Sequence, residues 1–596
     1  MYGSRSSEYK VSGMFRRVIG FVLAAACLGA PAQSQAADPG KTLRIAFQLA
    51  ESTFDPALFQ DIYSSMVAEN IYDSMLTYDY LARPAKLIPQ TLESMPELSP
   101  DGSTYTFRLR KGIYFTPDPA FAGKPRELVA ADYAYSILRF FDPKVKSPNL
   151  YLVEDKIAGL DEAMERAKAS GKFDYDARHE GLRVLDRYTL RVRLKRTDYT
   201  FIYNMAIAQF GAVAREVVEY YGDDFGNHPV GTGPYRLAHW TRAHRMVLEA
   251  NPGFRELRDT EGRKLPLIGR VEIFVIQENQ PRWLAFVNGE HDLIQWVPTE
   301  YIDTIAPEGR LAPYLAKKGV RMVKEVPPRI AYTYFNFDDP AIGGYEPQQV
   351  ALRRAISLAY DMPREIRVLR RNQAVQAQGP IPPGVSGYDP SFRTATVEFD
   401  PARAKALLDM FGFIDRDGDG YRERPDGSPL VLELASRPDL ESRQYSELWK
   451  KCMDAIGVRI TFRRAPWPDL LKESLAGKLQ MWTLSWQASS PDGDFFMGLF
   501  YGPNSGKSND AHFRFAEYDR LYQRSRVMPD SPERTRLYQE MTKLVLAYAP
   551  WVFHVHHLNT HLTYPWVKGY KKHPFVNTQW RYLDIDLDER RRAGIR

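Results

Sequence analysis

Four histidines, His554, His556, His557 and His561, fall within eight residues, out of 11 in the chain. On a strand, 554 and 556 share a face; on a helix, 557 and 561 do. Converging imidazoles hold a transition metal. On separate faces they are ordinary hydrogen-bonding groups, and no Cys or carboxylate lies in the run to decide between the two. Asp415-Arg416-Asp417-Gly418-Asp419-Gly420 places carboxylates at the first, third and fifth positions and Gly at the sixth, as in a calcium loop. Its twelfth position is Asp426 rather than a bidentate Glu, and Asp-Gly pairs also make plain turns. Trp482, Trp486 and the run Ser489 to Phe496 set two indoles beside a polar, acidic stretch rich in turn residues. Such a cluster suits a ligand-contacting loop, and either indole alone suits a core.

Signatures of catalysis fail one after another. There is no GxSxG elbow. His179-Glu180 lacks the second His of HExxH. Gly231-Thr232-Gly233-Pro234-Tyr235 is not GxGxxG, and its Pro removes a donor that a phosphate loop would use; it reads as a backbone turn. The two cysteines, Cys27 and Cys452, form no CxxC, which excludes a cysteine-rich zinc site. Cys452 is left without an intramolecular disulfide partner, so packing must hold the fold together.

Periodicity supplies the elements that would carry these groups. Thr42 to Phe47, Thr104 to Leu109, Tyr188 to Leu194, Val271 to Ile276 and Ala331 to Phe337 alternate as strands. Residues 60–76, Ala130 to Phe141, 155–180, Trp283 to Val287, Val350 to Tyr360 and Pro401 to Phe411 have helical spacing. Leu430 to Leu434, Tyr445 to Ile456 and Val458 to Phe462 read strand, helix, strand, which predicts a mixed α/β unit between about 325 and 500. Gly379 to Gly384 is a Pro-rich stiff loop.

At 596 residues, 44% hydrophobic and 26% charged, the chain is long enough for several units with large cores. Disorder, collagen and coiled coil are excluded. Net charge is +6, half of it in residues 1–36, which gives no concentrated basic face for nucleic acid. Arg16-Arg17, the apolar run Val18 to Ala30 and the small residues Ser34 and Ala36 describe an export signal over residues 1–36. The run is too short to span a bilayer. Leu23-Ala24-Ala25-Ala26-Cys27 offers the alternative of a lipid anchor at Cys27.

Several segments then resemble one family. Ser99-Pro100-Asp101-Gly102-Ser103-Thr104-Tyr105-Thr106-Phe107 to Phe115, Ala130 to Ser136, Pro229 to Tyr235, Phe286 to Asp292, Tyr334-Phe335-Asn336 and Leu352 to Asp361 follow in the order found in extracytoplasmic solute-binding proteins of the oligopeptide, dipeptide and nickel class, family 5 of the ABC importers. The resemblance implies an α/β, two-lobed periplasmic-binding-protein-like fold of type II with an extra subdomain in lobe I. Lobe I would comprise 37–280 and 556–596, and lobe II 281–555. It implies a periplasmic monomer, peripheral to the membrane, that needs no cofactor, captures a peptide or peptide-like ligand and delivers it to permease subunits; a non-peptide ligand (metal chelate, haem or oligosaccharide) stays open within the same fold, as does, from another class, an exported hydrolase. Contacts are expected from Trp486, Ser489, Asp492, Glu51, Thr53, Phe54 and Asn336. Peptide-binding members carry Trp-x-x-Asp where this chain has Trp486-Gln487-Ala488-Ser489, and their Asp pairs with the ligand's α-ammonium. Ser489 has no charge to offer. The stretch Thr116 to Glu127 also departs from the family's shorter loop.

Overall fold

The computed structural model describes residues 37–595; the expected export signal and Cys27 lie outside them. Lobe I is built on a four-stranded sheet in the order Asp38–Phe47, Ile268–Val275, Arg245–Ala250, Tyr235–Thr241. The first two strands run parallel and the remaining neighbours antiparallel. Leu43, Ile45 and Phe47 alternate into the core as their spacing requires. The inserted subdomain is a second four-stranded sheet, Glu97–Leu98, Thr104–Arg108, Thr189–Arg193, Leu182–Asp186, covered by the Ala130–Arg139 helix. Its Tyr105, Phe107, Leu190 and Val192 belong to the same apolar core as Leu43 and Ile45.

Lobe II centres on a five-stranded sheet ordered Arg459–Arg464, Val431–Ser436, Met481–Gln487, Arg329–Phe335, Trp551–Phe553. Val431–Ser436 and Arg459–Arg464 are parallel, with the Leu440–Ala455 helix as their crossover. A core covers each face of the sheet. Ile330, Tyr332, Tyr334 and Trp482 pack on one side; Ala331, Phe335, Leu432 and Met481 pack on the other.

The division between lobes differs from the expected 280/281. Trp283, Phe286, Leu315 and Val320 all pack into the lobe I core. The change of core falls at residues 326–328, between the Arg321–Glu325 and Arg329–Phe335 strands. The chain returns at Leu558. Val555–His557 still pairs with Ala374–Gln376 in lobe II, whereas Asn559–Thr563 lies between Leu293–Ile294 and Arg321–Glu325 in lobe I. The helix expected over 60–76 ends at Ile71, although Met75 is buried, and that over 155–180 spans only Leu160–Ser170, bounded by left-handed Gly159 and Gly171. Among the described residues no helix is long and apolar enough to cross a membrane.

Candidate ligand cleft

In open α/β sheets, ligands bind beyond the carboxyl ends of the strands. In lobe I those ends carry the loop after Phe47 and the turn after Thr241. The two are tied together. Glu51 Oε1 accepts from Trp240 Nε1 at 2.5 Å and from Ala243 N at 3.0 Å. Phe54 is buried against Trp240, with ring centroids 4.8 Å apart, and Arg242 lies over the same indole. Asp55 forks onto Arg139 at 2.6 and 2.7 Å, both side chains buried, and fixes the loop from below. Glu51, only 4% exposed, and Phe54 therefore shape the loop. Thr53 is half-buried, and its Oγ1 accepts from Asp55 N at 3.3 Å.

In lobe II the carboxyl ends lead into Arg437, Ala465 and Ala488. Trp486 closes the Met481–Gln487 strand, half-buried and edge-on to Phe495 at 5.9 Å. Ser489 is exposed just beyond it, and Ala488 N donates to Pro328 O at 2.9 Å, which ties this loop to the first crossing. Asp492 is 2% exposed. Its carboxylate accepts from Arg534 Nη1 at 2.7 Å, Tyr538 OH at 3.0 Å and Asp494 N at 2.9 Å, so it anchors the loop. Asn336 is buried too. Its Nδ2 donates to the carbonyls of Gly477 and Leu479, and its Oδ1 accepts from Asp338 N. It also follows the far end of its strand, about 23 Å from Arg329 by strand rise. Of the seven expected residues, Trp486, Ser489 and Thr53 keep accessible surface at the carboxyl ends, while Asp492, Asn336, Glu51 and Phe54 are committed within their own lobes.

Sequence reasoning missed Trp467, which is 46% exposed and leans on Trp482 at 4.8 Å. It also missed Arg437 at the end of Val431–Ser436, and the exposed apolar pair Leu440 (71%) and Leu49 (59%), one in each lobe. Large apolar side chains left exposed at both sets of carboxyl ends were the available signal. The lobes approach each other here. Phe575 packs on both the lobe I core and a lobe II core, and burial followed by the negative charge of Asp492 raises the Tyr203 hydroxyl.

Asp494 sits at the edge of this region. Burial first, then the charge of Asp492, pushes its carboxyl up to about 6. A carboxyl with a raised folded-state value binds its proton more tightly when folded, so it lowers stability as pH rises from about 4 to 6. Asp494→Asn is expected to stabilise by about 1 kcal/mol at pH 7 and by nothing at pH 4, read from chemical unfolding at the two pH values; an equal gain at both would assign the effect to packing.

The histidine run does not converge. His554 Nδ1 meets Glu365 at 2.7 Å and its Nε2 meets Thr333 at 2.9 Å; His556 Nδ1 donates to Arg329 O at 3.2 Å; His561 faces Glu325 and Tyr570. In the acidic loop, Asp415, Asp417, Asp419 and Glu423 bring carboxylate oxygens within 4.8 Å of one another. Asp426 instead caps its own turn at Ser428. Asp415 accepts from Gly418 N and Gly420 N, and both glycines are left-handed, as the turn requires. Cys452 is free and buried, and burial pushes its thiol up to about 11.

The chain is 25% identical over 562 residues to di/tripeptide-binding protein 2 of Pseudomonas aeruginosa, covering 92% of this chain and 95% of that protein. It is 24% identical to heme-binding protein A of Haemophilus influenzae, covering 89% and 90%. Among solved structures, HbpA2 from Haemophilus parasuis superposes with a TM-score of 0.75 at 20% identity over 91% of this chain and all of that one. The periplasmic binding protein DppA from Helicobacter pylori, in complex with the peptide STSA, gives 0.69 at 21% identity over 93% and 99%. The fold is thus that of two-lobed binding proteins. The profile of the bacterial extracellular solute-binding proteins, family 5 (middle region), matches residues 86–508, and the chain belongs to that family.

Proposed function

We propose that this chain is the ligand-capturing component of an ABC importer, that it takes a peptide or peptide-like molecule between its lobes in the periplasm, and that it passes the molecule unaltered to a permease. The observation that carries this is the pair of accessible indoles, Trp486 and Trp467, set at the carboxyl ends of a lobe II sheet whose core is separate from that of lobe I and joined to it by two short crossings. Ligand bound between the lobes stabilises the closed arrangement by its differential affinity for it. The di/tripeptide-binding relative supports a peptide. No chemical step is needed, and the signatures of a nucleophile with its base are missing from the sequence.

A second reading, a non-peptide ligand, is favoured by one observation. Ser489 carries no charge and Asp492 is spent on Arg534 and Tyr538. Neither Ser489 nor Asp492 therefore offers the α-ammonium of a peptide a free carboxylate, and a neutral hydrogen bond contributes less than a charge-assisted one. The heme-binding relative fits this alternative.

Native mass spectrometry of protein purified without refolding identifies the retained ligand. Calorimetry with that ligand is expected to show Trp486→Ala weakening binding by about 30-fold or more, with a loss of folding stability of about 1 kcal/mol. Unchanged affinity would remove Trp486 from the site.

A further inference from the structure

The second crossing between lobes is not a free linker. Ala374–Gln376 pairs with Val555–His557 in lobe II as far as Ala374 with His557. The pairing then runs one step past the boundary, since Leu558 N donates to Gln373 O at 3.1 Å. Gln373 also reaches into the lobe I sheet, where its Oε1 accepts from Thr560 Oγ1 at 2.7 Å. Two residues earlier, Arg371 Nη1 donates to Asp303 Oδ2 at 2.6 Å, and Asp303 belongs to the Ile302–Ile305 helix of lobe I. A four-residue strap of lobe II, Arg370 to Gln373, thus holds lobe I at Leu558, Thr560 and Asp303. We propose that this strap is a clasp between the lobes: it fixes their angle while Asp303–Arg371 and Gln373–Thr560 are made, and it must release lobe I for the angle to change.

The backbone is that of a joint. Its lobe II end is anchored. Arg370 Nε donates to Glu365 Oε1 at 2.6 Å, Arg370 N donates to Glu365 O at 2.9 Å, and the guanidinium lies over the Tyr445 ring at 5.4 Å. Glu365–Leu369 winds as a π-helix, a rare turn found mostly at functional sites. Arg371 and Asn372 follow in the left-handed conformation, with φ of 48° and 58°, although neither is Gly. That conformation costs free energy in a residue with a Cβ and persists only where the surroundings impose it. From lobe II they are held by Asn372 N to Ile366 O at 2.8 Å and Gln373 N to Arg370 O at 2.7 Å. From lobe I they are held by the three contacts above. Rotation at the crossing carries Thr560 and Asp303 away from Arg370, which stays with Glu365, so the displacement falls on residues 371 and 372. Releasing lobe I lets these two relax, so their strain opposes the clasp and keeps its two states close in free energy. Asp303 and Arg371 are exposed, which makes their attraction sensitive to salt.

No ligand is needed to test this. Spin labels at Lys317→Cys in lobe I and Lys405→Cys in lobe II, both exposed positions, report the separation of the lobes in the mature chain; buried Cys452 takes no label. Pulsed electron paramagnetic resonance is expected to give one main distance at low salt. Arg371→Ala and Asp303→Ala are each expected to lower the ratio of that population to all others by about two- to five-fold. About 1 M salt is expected to do the same to the parent chain and to add nothing in the variants. Asp303→Arg combined with Arg371→Asp is expected to restore the parent distribution. Asn372→Gly, which enters the left-handed region freely, is expected to raise the main population, and Asn372→Val to deplete it. Arg183→Gln, at an exposed position of the subdomain, is the control and is expected to change nothing. Chemical unfolding of each variant separates a change of lobe angle from a loss of fold. The clasp is overturned if Arg371→Ala, Asp303→Ala and high salt all leave the parent distribution unchanged. It is overturned as well if the charge-reversed pair stays as displaced as the single variants.

Discussion

Asp492→Ala is expected to cost about 3–5 kcal/mol in unfolding free energy, a large effect for one loop residue. Arg534 is 1% exposed and, apart from Asp492, its guanidinium has only the Ser525 carbonyl as a hydrogen-bond acceptor among the described residues. Removing the carboxylate strands a guanidinium where water does not reach, and Tyr538 loses its acceptor as well. The aspartate and arginine lie 42 residues apart, so the pair binds the loop after Trp486 to the Pro532–Tyr548 helix. Exchanging both partners at once, as Asp492→Leu with Arg534→Met, is expected to recover more than half of the loss, because a buried pair repays little beyond its own desolvation. Denaturant unfolding of the two single variants and the double variant closes the cycle. If Asp492→Ala unfolds like the parent chain but binds ligand poorly, Asp492 touches the ligand and its anchoring role is wrong.

Glu365→Ala is expected to be of similar size, again about 3–5 kcal/mol. Glu365 is fully buried and is the hub for three side chains: His554 at 2.7 Å, Arg370 at 2.6 Å and Tyr360 at 2.7 Å. Burial alone would push its carboxyl up; the charges of His554 and Arg370 with the hydrogen bonds to His554 and Tyr360 outweigh it and hold the group well below the usual carboxylate range. A depressed folded-state value contributes stability above the unfolded value of about 4.5, which is lost as pH falls toward the folded one. Acid unfolding below about pH 4 is therefore expected to be shallower in Glu365→Gln than in the parent chain. Identical acid limbs would show that Glu365 is not the group being protonated.

How legible these features were depended on whether their cause is local. The strands and helices of both lobes follow from period, and Asp61, Asp400 and Asp439 cap helices through Ser64 N, Arg403 N and Ser442 N. The Met481–Gln487 strand alternates too, Trp482, Leu484 and Trp486 against Thr483, Ser485 and Gln487, but it went unread because the turn residues from Ser489 onward masked it. The lobe boundary was not readable. Trp283 to Val320 has the same amphipathic character whichever core it joins, and its partner strand, Asn559–Thr563, lies more than 200 residues later. The site divided in the same way. Trp486 and Ser489, put forward from residue type and the Trp-x-x-Asp pattern, keep accessible surface at the sheet end. Asp492 looked equally available because nothing near it announces Arg534.

Asn559–Thr563 is the middle strand of its three-stranded sheet, flanked by segments that precede it by more than 230 residues. The inner lobe thus has every strand of its five-stranded sheet once residue 557 has been made, whereas the outer lobe, begun first, must wait for the tail. Assembly is therefore expected to run from the inside out, against the usual precedence of the amino-terminal part. A copy that stops short of residue 559 keeps one finished half and one with a gap through a sheet, whose bare edges invite aggregation.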